Sequence, residues 1–240
     1  DLNTDANSLA ENAGSGISAG VRVSAINDEF APTVGAEADI VSYATTSTLF
    51  DVDTATGVIT LVGSLDYETA TSHDVIVTAS SLDGTSEEFT FTIAVTDVNE
   101  APSISTGTSG SVAENAATTT VIYDAAASDV DAGDGITFSV GGADGGLVRI
   151  DSSNGEVTLN SSANFESAKT SYSFDVIATD NSGLTDTQGV TVSVTDVNEA
   201  PSISTGTTGT VEENAATSTV IYDAAASDED TQNNSSGLTI

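Results

Sequence analysis

The sequence predicts an all-β fold of tandem seven-stranded Greek-key sandwiches. Three observations carry that expectation. Short runs alternate apolar and polar residues over about four to eight positions, broken by Gly, Asn and Asp, and this period of two is the mark of strands. No stretch sustains a 3.6-residue apolar period, so helices are not expected. The hexamer Asp97-Val98-Asn99-Glu100-Ala101-Pro102 returns 99 residues later as Asp196-Val197-Asn198-Glu199-Ala200-Pro201, with SISTGT after both copies. That period is the size of a small domain rather than of a solenoid repeat.

Three segments follow: residues 1–98, residues 99–197 and residues 198–240, the last a truncated start of a third repeat. In the first, Leu9-Ala10-Glu11-Asn12 precedes VRVSA, then a longer loop holds Asp28, Glu29 and Pro32. DIVSYAT, STLFDV, a turn at Thr56-Gly57 and GVITLV come next, followed by SHDVIVTAS and the alternating Phe89, Phe91, Ile93 and Val95. In the second, strands are expected around 110–112, 119–125, 136–140, 147–151, 156–159, 172–178 and 189–195. Seven short strands in such a span point to an antiparallel sandwich. Its core is expected from Tyr172, Phe174, Val176 and Ala178 on one strand and Val190, Val192 and Val194 on another. The third segment repeats the opening as far as Asp228-Glu229-Asp230, too little to close a sandwich. Each hexamer leaves an alternating run and ends in proline, which forbids a helix and extends the residue before it. It therefore reads as a short, stiff linker.

Net charge is −34, with Arg22, Arg149 and Lys169 the only basic side chains. A chain this acidic repels nucleic acid and anionic membrane surfaces. It has no starting methionine, no leader segment and no apolar run of ~18 residues, so it reads as an internal piece of a larger protein with no membrane insertion of its own. Without cysteine there is no disulfide and no thiolate site. Folding with so few cations points to positive charge supplied from outside, by salt or by bound metal.

The acids recur in order. Glu11, Glu114 and Glu213 each precede Asn, and 17 residues after them come Asp28, Asp131 and Asp230. Asp129 and Asp228 stand two residues before the last two, and residues i and i+2 of an extended chain project to one side. Asp66-Tyr67-Glu68 corresponds to Asn164-Phe165-Glu166, and Asp180 follows the sixth strand of the second segment.

Taken together, these residues resemble the cadherin repeat family, whose fold is an immunoglobulin-like sandwich. The resemblance implies calcium at the domain junctions, held by an early Glu, a mid-repeat Asp-x-Glu, the linker, and an Asp-x-Asp and a later Asp of the following repeat. By that resemblance Glu11, Asp66, Glu68, Asp97, Asn99, Glu100, Asp129, Asp131 and Asp180 are the ligands of the first junction. Glu114, Glu166, Asp196, Asn198, Glu199, Asp228 and Asp230 are those of the second. The chain departs from the family pattern at Glu100 (usually Asp), Ala101 (usually Asn) and Asn164 (Asp in the first repeat), and at Ile26 and Ala79, where further acids are expected. The Asn-Glu-Ala-Pro spelling and the acidity look most like repeats of large bacterial surface adhesins. Physics points the same way. Two like charges ~5 Å apart cost roughly 3 kcal/mol at an effective dielectric of 20, so converging acids need a cation. Oxygen donors without His or Cys select calcium.

Catalysis has little to stand on. His73, the only histidine, aligns with Phe174 on a strand face, and no second base activates the serines. The acids cluster at linkers rather than across a cleft, so no enzyme is expected. The glycines of 141–146 lack the strand-then-helix setting of a phosphate loop and read as a turn. The expected function is a calcium-rigidified repeat of an extracellular, cell-surface adhesin, spacing a binding region from the surface toward a homophilic or heterophilic partner or a surface glycan. The alternative is a carbohydrate- or partner-binding module of a secreted protein. That reading wants exposed aromatic platforms, whereas Trp is absent and Tyr43, Tyr123 and Tyr172 fall in strand patterns.

Overall fold

Strand pairing in the computed structural model follows the alternation. The structure describes residues 7–25, 41–81 and 84–230, and the chain divides into two compact units, 1–100 and 101–240. The loop positions Ile26, Asp28, Glu29 and Pro32 lie outside the described residues. Among the described residues there is no α-helix, and no helix long and apolar enough to cross a membrane.

In the first unit, β1 (Ser8–Ala10), β2 (Ser18–Arg22), β3 (Ser42–Thr45), β4 (Phe50–Val52), β5 (Val58–Leu61), β6 (Ser72–Ser80) and β7 (Ser86–Thr96) form two sheets. One runs β1-β7-β6-β3 and the other β2-β5-β4. Phe50, Ile59, Leu61, Val75, Val77 and Ile93 are almost fully buried between them. Each such side chain contributes roughly 1.5–3 kcal/mol relative to exposure. Phe89 departs from its alternating run: it is 60% exposed and leans on Phe91 at 5.1 Å between ring centroids. β6 begins at Ser72 and its counterpart in the second unit at Ser171, so His73 stands where Tyr172 does, not where Phe174 does. It is half-buried, 6.2 Å from the Phe50 ring, in the structural role its strand face predicts.

The second unit adds β8 (Ser103–Ile104), β9 (Ser109–Ala113), β10 (Val121–Asp124), β11 (Ala127–Ser128), β12 (Thr137–Gly141), β13 (Val148–Ile150), β14 (Glu156–Leu159), β15 (Ser171–Thr179) and β16 (Thr185–Thr195). Its sheets are β12-β15-β16-β9 and β10-β14-β13, with β8 and β11 as a separate two-residue ladder. Tyr172, Phe174, Val176, Ala178, Val190, Val192 and Val194 form the core, as their alternation predicts. The glycine run after β12 leads into a single 3-10 turn at Gly145–Leu147. The two short strands are additions to the seven segments legible in the sequence.

Among the described residues beyond 201, only β17 (Ser202–Ile203) and β18 (Ala226–Ser227) pair. Val112, Ile122 and Tyr123 are buried at 5%, 5% and 7% exposure, while their repeats Val211, Ile221 and Tyr222 are at 57%, 56% and 44%. The same residues find a core in one copy, where β10 pairs with β14 and β9 with β16, and solvent in the other.

The β13–β14 turn is set by Asp151, whose carboxylate accepts the Ser153 N–H at 2.9 Å, and by Gly155 at φ +82. Asp53 and Gly57 repeat this arrangement in the first unit, with Gly57 at φ +69. A Cβ on Gly155 would meet the Ala125 carbonyl oxygen, whose residue also donates its N–H to the Gly155 oxygen at 3.0 Å. Gly155→Ala is therefore expected to destabilise the chain by about 2 kcal/mol or more through left-handed strain plus this collision. A urea-unfolding midpoint unchanged from the parent would contradict it.

Candidate metal centres

Parallel pairing decides where the early glutamates go. Strands that run parallel end at the same end of a sheet. β9 pairs parallel with β16 in the register Val112 to Val194 and Ala113 to Thr195. The next residue of each strand, Glu114 and Asp196, therefore leaves the sheet side by side, and the Glu114 N–H donates to the Thr195 carbonyl at 3.0 Å. β1 and β7 repeat this in the first unit, with Ala10 opposite Thr96 and the Glu11 N–H donating to the Thr96 carbonyl at 3.2 Å.

Two of the early glutamates, Glu114 and Glu11, are buried clamps. Glu114, 2% exposed, accepts the Phe165 N–H on Oε2 at 2.7 Å and the Val197 N–H on Oε1 at 2.9 Å. Glu11 accepts Tyr67 and Val98 N–H groups in the same way, both at 2.8 Å. One carboxylate thus ties the mid-repeat loop to the linker. This bracing is a structural task that the spacing of the acids does not reveal.

Around the second linker the acids converge. Glu114, Glu166 and Asp196 each bring an oxygen within 4.8 Å of the others, and so do Glu166, Glu199 and Asp230. The β17–β18 ladder returns the chain to the linker, where Asp230 Oδ2 accepts the Glu199 N–H at 2.8 Å. Asp230 is 4% exposed. Among the described residues, Glu166 Oε2, Glu199 Oε2 and Asp230 Oδ1 are buried without a hydrogen-bond partner. Asn198 turns its amide Nδ2 to the Glu199 carbonyl at 2.9 Å, and Asp228 Oδ1 accepts the Asp230 N–H at 3.2 Å. The three basic side chains are engaged elsewhere: Arg22 on the Thr56 carbonyl, Arg149 on Thr158 and Thr118, and Lys169 on Asp144.

Crowding of like charge shows in the carboxyl acidities. Burial, and then the neighbouring Glu114, push Glu166 above the usual carboxylate range. Burial followed by Asp230 and Glu114 raises Asp196, and burial followed by Glu114 and Asp230 raises Glu199. Glu114 goes the other way, lowered first by the Phe165 N–H and then by the Val197 N–H. A raised carboxyl destabilises the fold when ionised, and that penalty fades as pH falls through its folded value toward its unfolded one. The stabilising share of Glu114 is present above its ordinary value and is lost only as pH falls through its depressed one. The metal-free chain is therefore expected to gain stability on acidification from about pH 7 to about pH 5, before the lowered groups titrate. Thermal midpoints in chelator across that window test it, and a monotonic fall would contradict it.

In the first unit Glu11, Asp66 and Glu68 bring oxygens within 4.8 Å of one another, and the Glu68 and Asp97 carboxylates also approach within that distance. Asn99 turns its Nδ2 to the Glu100 carbonyl at 2.9 Å, as Asn198 does to Glu199. Asp129 and Asp180 converge with Asp134, a residue the sequence comparison did not single out because it falls outside the recurring positions. Asp180 also closes the β15–β16 turn, accepting Ser182 and Leu184 N–H groups at 2.9 and 2.7 Å. The Asp-x-Asp pair needs one correction. Asp129 follows β11 and the chain bends at Val130 and Asp131, so the pair does not lie on extended chain. The Asp131 N–H donates to Asp129 Oδ1 at 3.1 Å, the local side-chain-to-backbone turn that Asp readily forms.

Comparison with known proteins bears on the family and the fold. Residues 108–195 match the family model of the Cadherin domain, so a cadherin domain is recognised there. The chain is 31% identical over 158 residues to Protein dachsous of Drosophila melanogaster; that match covers 62% of this chain and 4% of the fly protein. Among solved structures, human CDH23 EC21-23 resembles it with a TM-score of 0.65 at 21% identity, over 94% of this chain and 77% of that one, a likeness of fold. Protocadherin Gamma B2 extracellular cadherin domains 3-6 resemble it with a TM-score of 0.61 at 25% identity, over 92% and 53%.

Proposed function

We propose that this chain is a calcium-rigidified tandem repeat of an extracellular adhesin, spacing a binding region from the cell surface and supporting cell adhesion. The observation that carries the reading is the convergence of Glu166, Glu199 and Asp230, each with a buried oxygen that no protein donor meets among the described residues. A cation is the group that such oxygens lack, and an all-oxygen donor set of this charge suits calcium. Glu114, Glu166, Asp196, Asn198, Glu199, Asp228 and Asp230 would hold it at the second linker. Glu11, Asp66, Glu68, Asp97, Asn99, Glu100, Asp129, Asp131 and Asp180 would do so at the first. The repeat boundaries proposed are 1–98, 99–197 and 198–240.

The cell-surface setting and the homophilic or heterophilic adhesive partner are part of the same proposal. So is the bacterial-adhesin type, which rests on the Asn-Glu-Ala-Pro linker and the net charge of −34. The sugar-platform alternative is weakened because Tyr43, Tyr123 and Tyr172 are buried at 7–8% exposure. Small-angle scattering on the full chain tests the spacer role. Calcium is expected to give a longer, sharply defined maximum dimension, and chelator a broad distribution. Identical profiles would remove the spacer reading.

Asn164 offers a gain-of-function test. Its single side-chain oxygen is a neutral amide oxygen that already accepts the Ser167 N–H at 2.7 Å, which leaves one lone pair and no charge for an ion. Asp66 spends Oδ1 on the Thr69 N–H at 2.8 Å and keeps a second oxygen. Asn164→Asp is therefore expected to tighten calcium binding at the second linker by roughly tenfold, since each added carboxylate raises affinity. Unaltered calorimetric affinity would contradict the assignment of this position.

A further inference from the structure

Asn115 follows the clamp residue Glu114 and, with its repeat Asn214, is one of the two non-glycine residues with positive φ among the described residues, at +57 and +64. Asparagine is among the few side chains that tolerate this left-handed backbone. The kink is anchored, because the Asn115 N–H donates to the carbonyl of the buried Ala163 at 2.9 Å. It turns the side chain toward the linker, where Asn115 Nδ2 donates to Glu199 Oε1 at 2.6 Å across 84 residues of sequence. The other oxygen of that carboxylate, Oε2, is buried and unpartnered beside Glu166 and Asp230.

We infer that Asn115 is a positioning residue for metal binding: by capping Glu199 Oε1 it presents Oε2 alone to the cation at the second linker. The inference rests on the calcium reading above and adds to it a residue that makes no contact with the ion. The contact explains how Glu199 can serve at a linker position. Glutamate has one more rotatable bond than aspartate, and an unheld carboxylate would lose side-chain freedom on binding. Asn115 fixes that rotamer beforehand, and partners of this kind typically change metal affinity by 10- to 100-fold. The αL backbone makes the position specific. Glycine reproduces the backbone without the donor, whereas aspartate tolerates the backbone but presents an acceptor to a carboxylate.

The test uses the full chain labelled with 15N and titrated with calcium, read at the Glu199 and Glu166 backbone amides. Tyr67 and Val98 amides of the first unit serve as internal controls. Asn115→Gly is expected to weaken calcium about tenfold at Glu199 and Glu166 with the controls unmoved, and Asn115→Asp at least as much. In a Glu199→Gln background, Asn115→Gly is expected to cause no further loss, because the two residues act as one unit. A merely structural asparagine would add its full effect in both backgrounds. Parent affinity retained in both Asn115 variants, or additive losses in the double variant, would overturn the inference. A parent chain that shows no saturable shifts would instead overturn the calcium reading on which it rests.

Discussion

Glu114→Gln is expected to produce the largest loss from any single carboxylate, lowering the metal-free melting midpoint by roughly 5–10 °C. Both oxygens of Glu114 accept backbone N–H groups, from Phe165 on one side and Val197 on the other. Glutamine has one acceptor oxygen, and its NH2 must then face an N–H that it cannot satisfy. The change keeps shape and burial but breaks one arm of the clamp between the mid-repeat loop and the linker. It also removes a charge from the group formed with Glu166 and Asp196, so calcium affinity at the second linker is expected to fall as well. Glu213→Gln is the matched control, because Glu213 holds the same repeat position but is exposed. Equal melting behaviour of the two variants in chelator would contradict the clamp.

Removing calcium is expected to cost the chain more than any substitution outside its cores. A ligand at one hundred times its dissociation constant stabilises the folded state by about 2.7 kcal/mol per site. More than one cluster of acids is available to respond. The melting midpoint is therefore expected to rise with calcium concentration, and to rise less with magnesium, whose smaller octahedral shell suits these carboxylates poorly. Calcium should also reverse the pH trend of the metal-free chain, because protons then compete with the ion for Glu166, Asp196 and Glu199. A midpoint independent of calcium at neutral pH would show that the acids bear their repulsion unaided.

Much of this architecture was legible because its causes are local. Val190, Val192 and Val194 alternate with polar residues, and a period of two needs no distant information to become a strand face. The recurrence of Glu before Asn, of the mid-repeat Asp66-Tyr67-Glu68 position, of the linker hexamer and of Asp-x-Asp marked most of the acids that converge, although not their contacts. What stayed hidden depends on chain folding back on itself. β8 and β11 are two residues each, too short to show alternation, yet they form a ladder with Ser103 opposite Ser128, just before Asp129. The β9–β16 pairing that sets Glu114 beside Asp196 spans more than 80 residues. Asp134 joins Asp129 and Asp180 from outside the recurring acidic positions. Phe89 sits in a regular apolar pattern but stays exposed, since alternation says which side a residue takes and not whether anything covers it.

The most direct test of the central claim is a calorimetric titration of the metal-free full chain with calcium at neutral pH. It should be repeated on a variant carrying Glu166→Gln and Asp230→Asn together. The expected result is saturable binding in the parent, with the heat assigned to the second linker missing from the double variant while the remaining heat persists. Absence of saturable heat in the parent, or an identical isotherm in the variant, would contradict it.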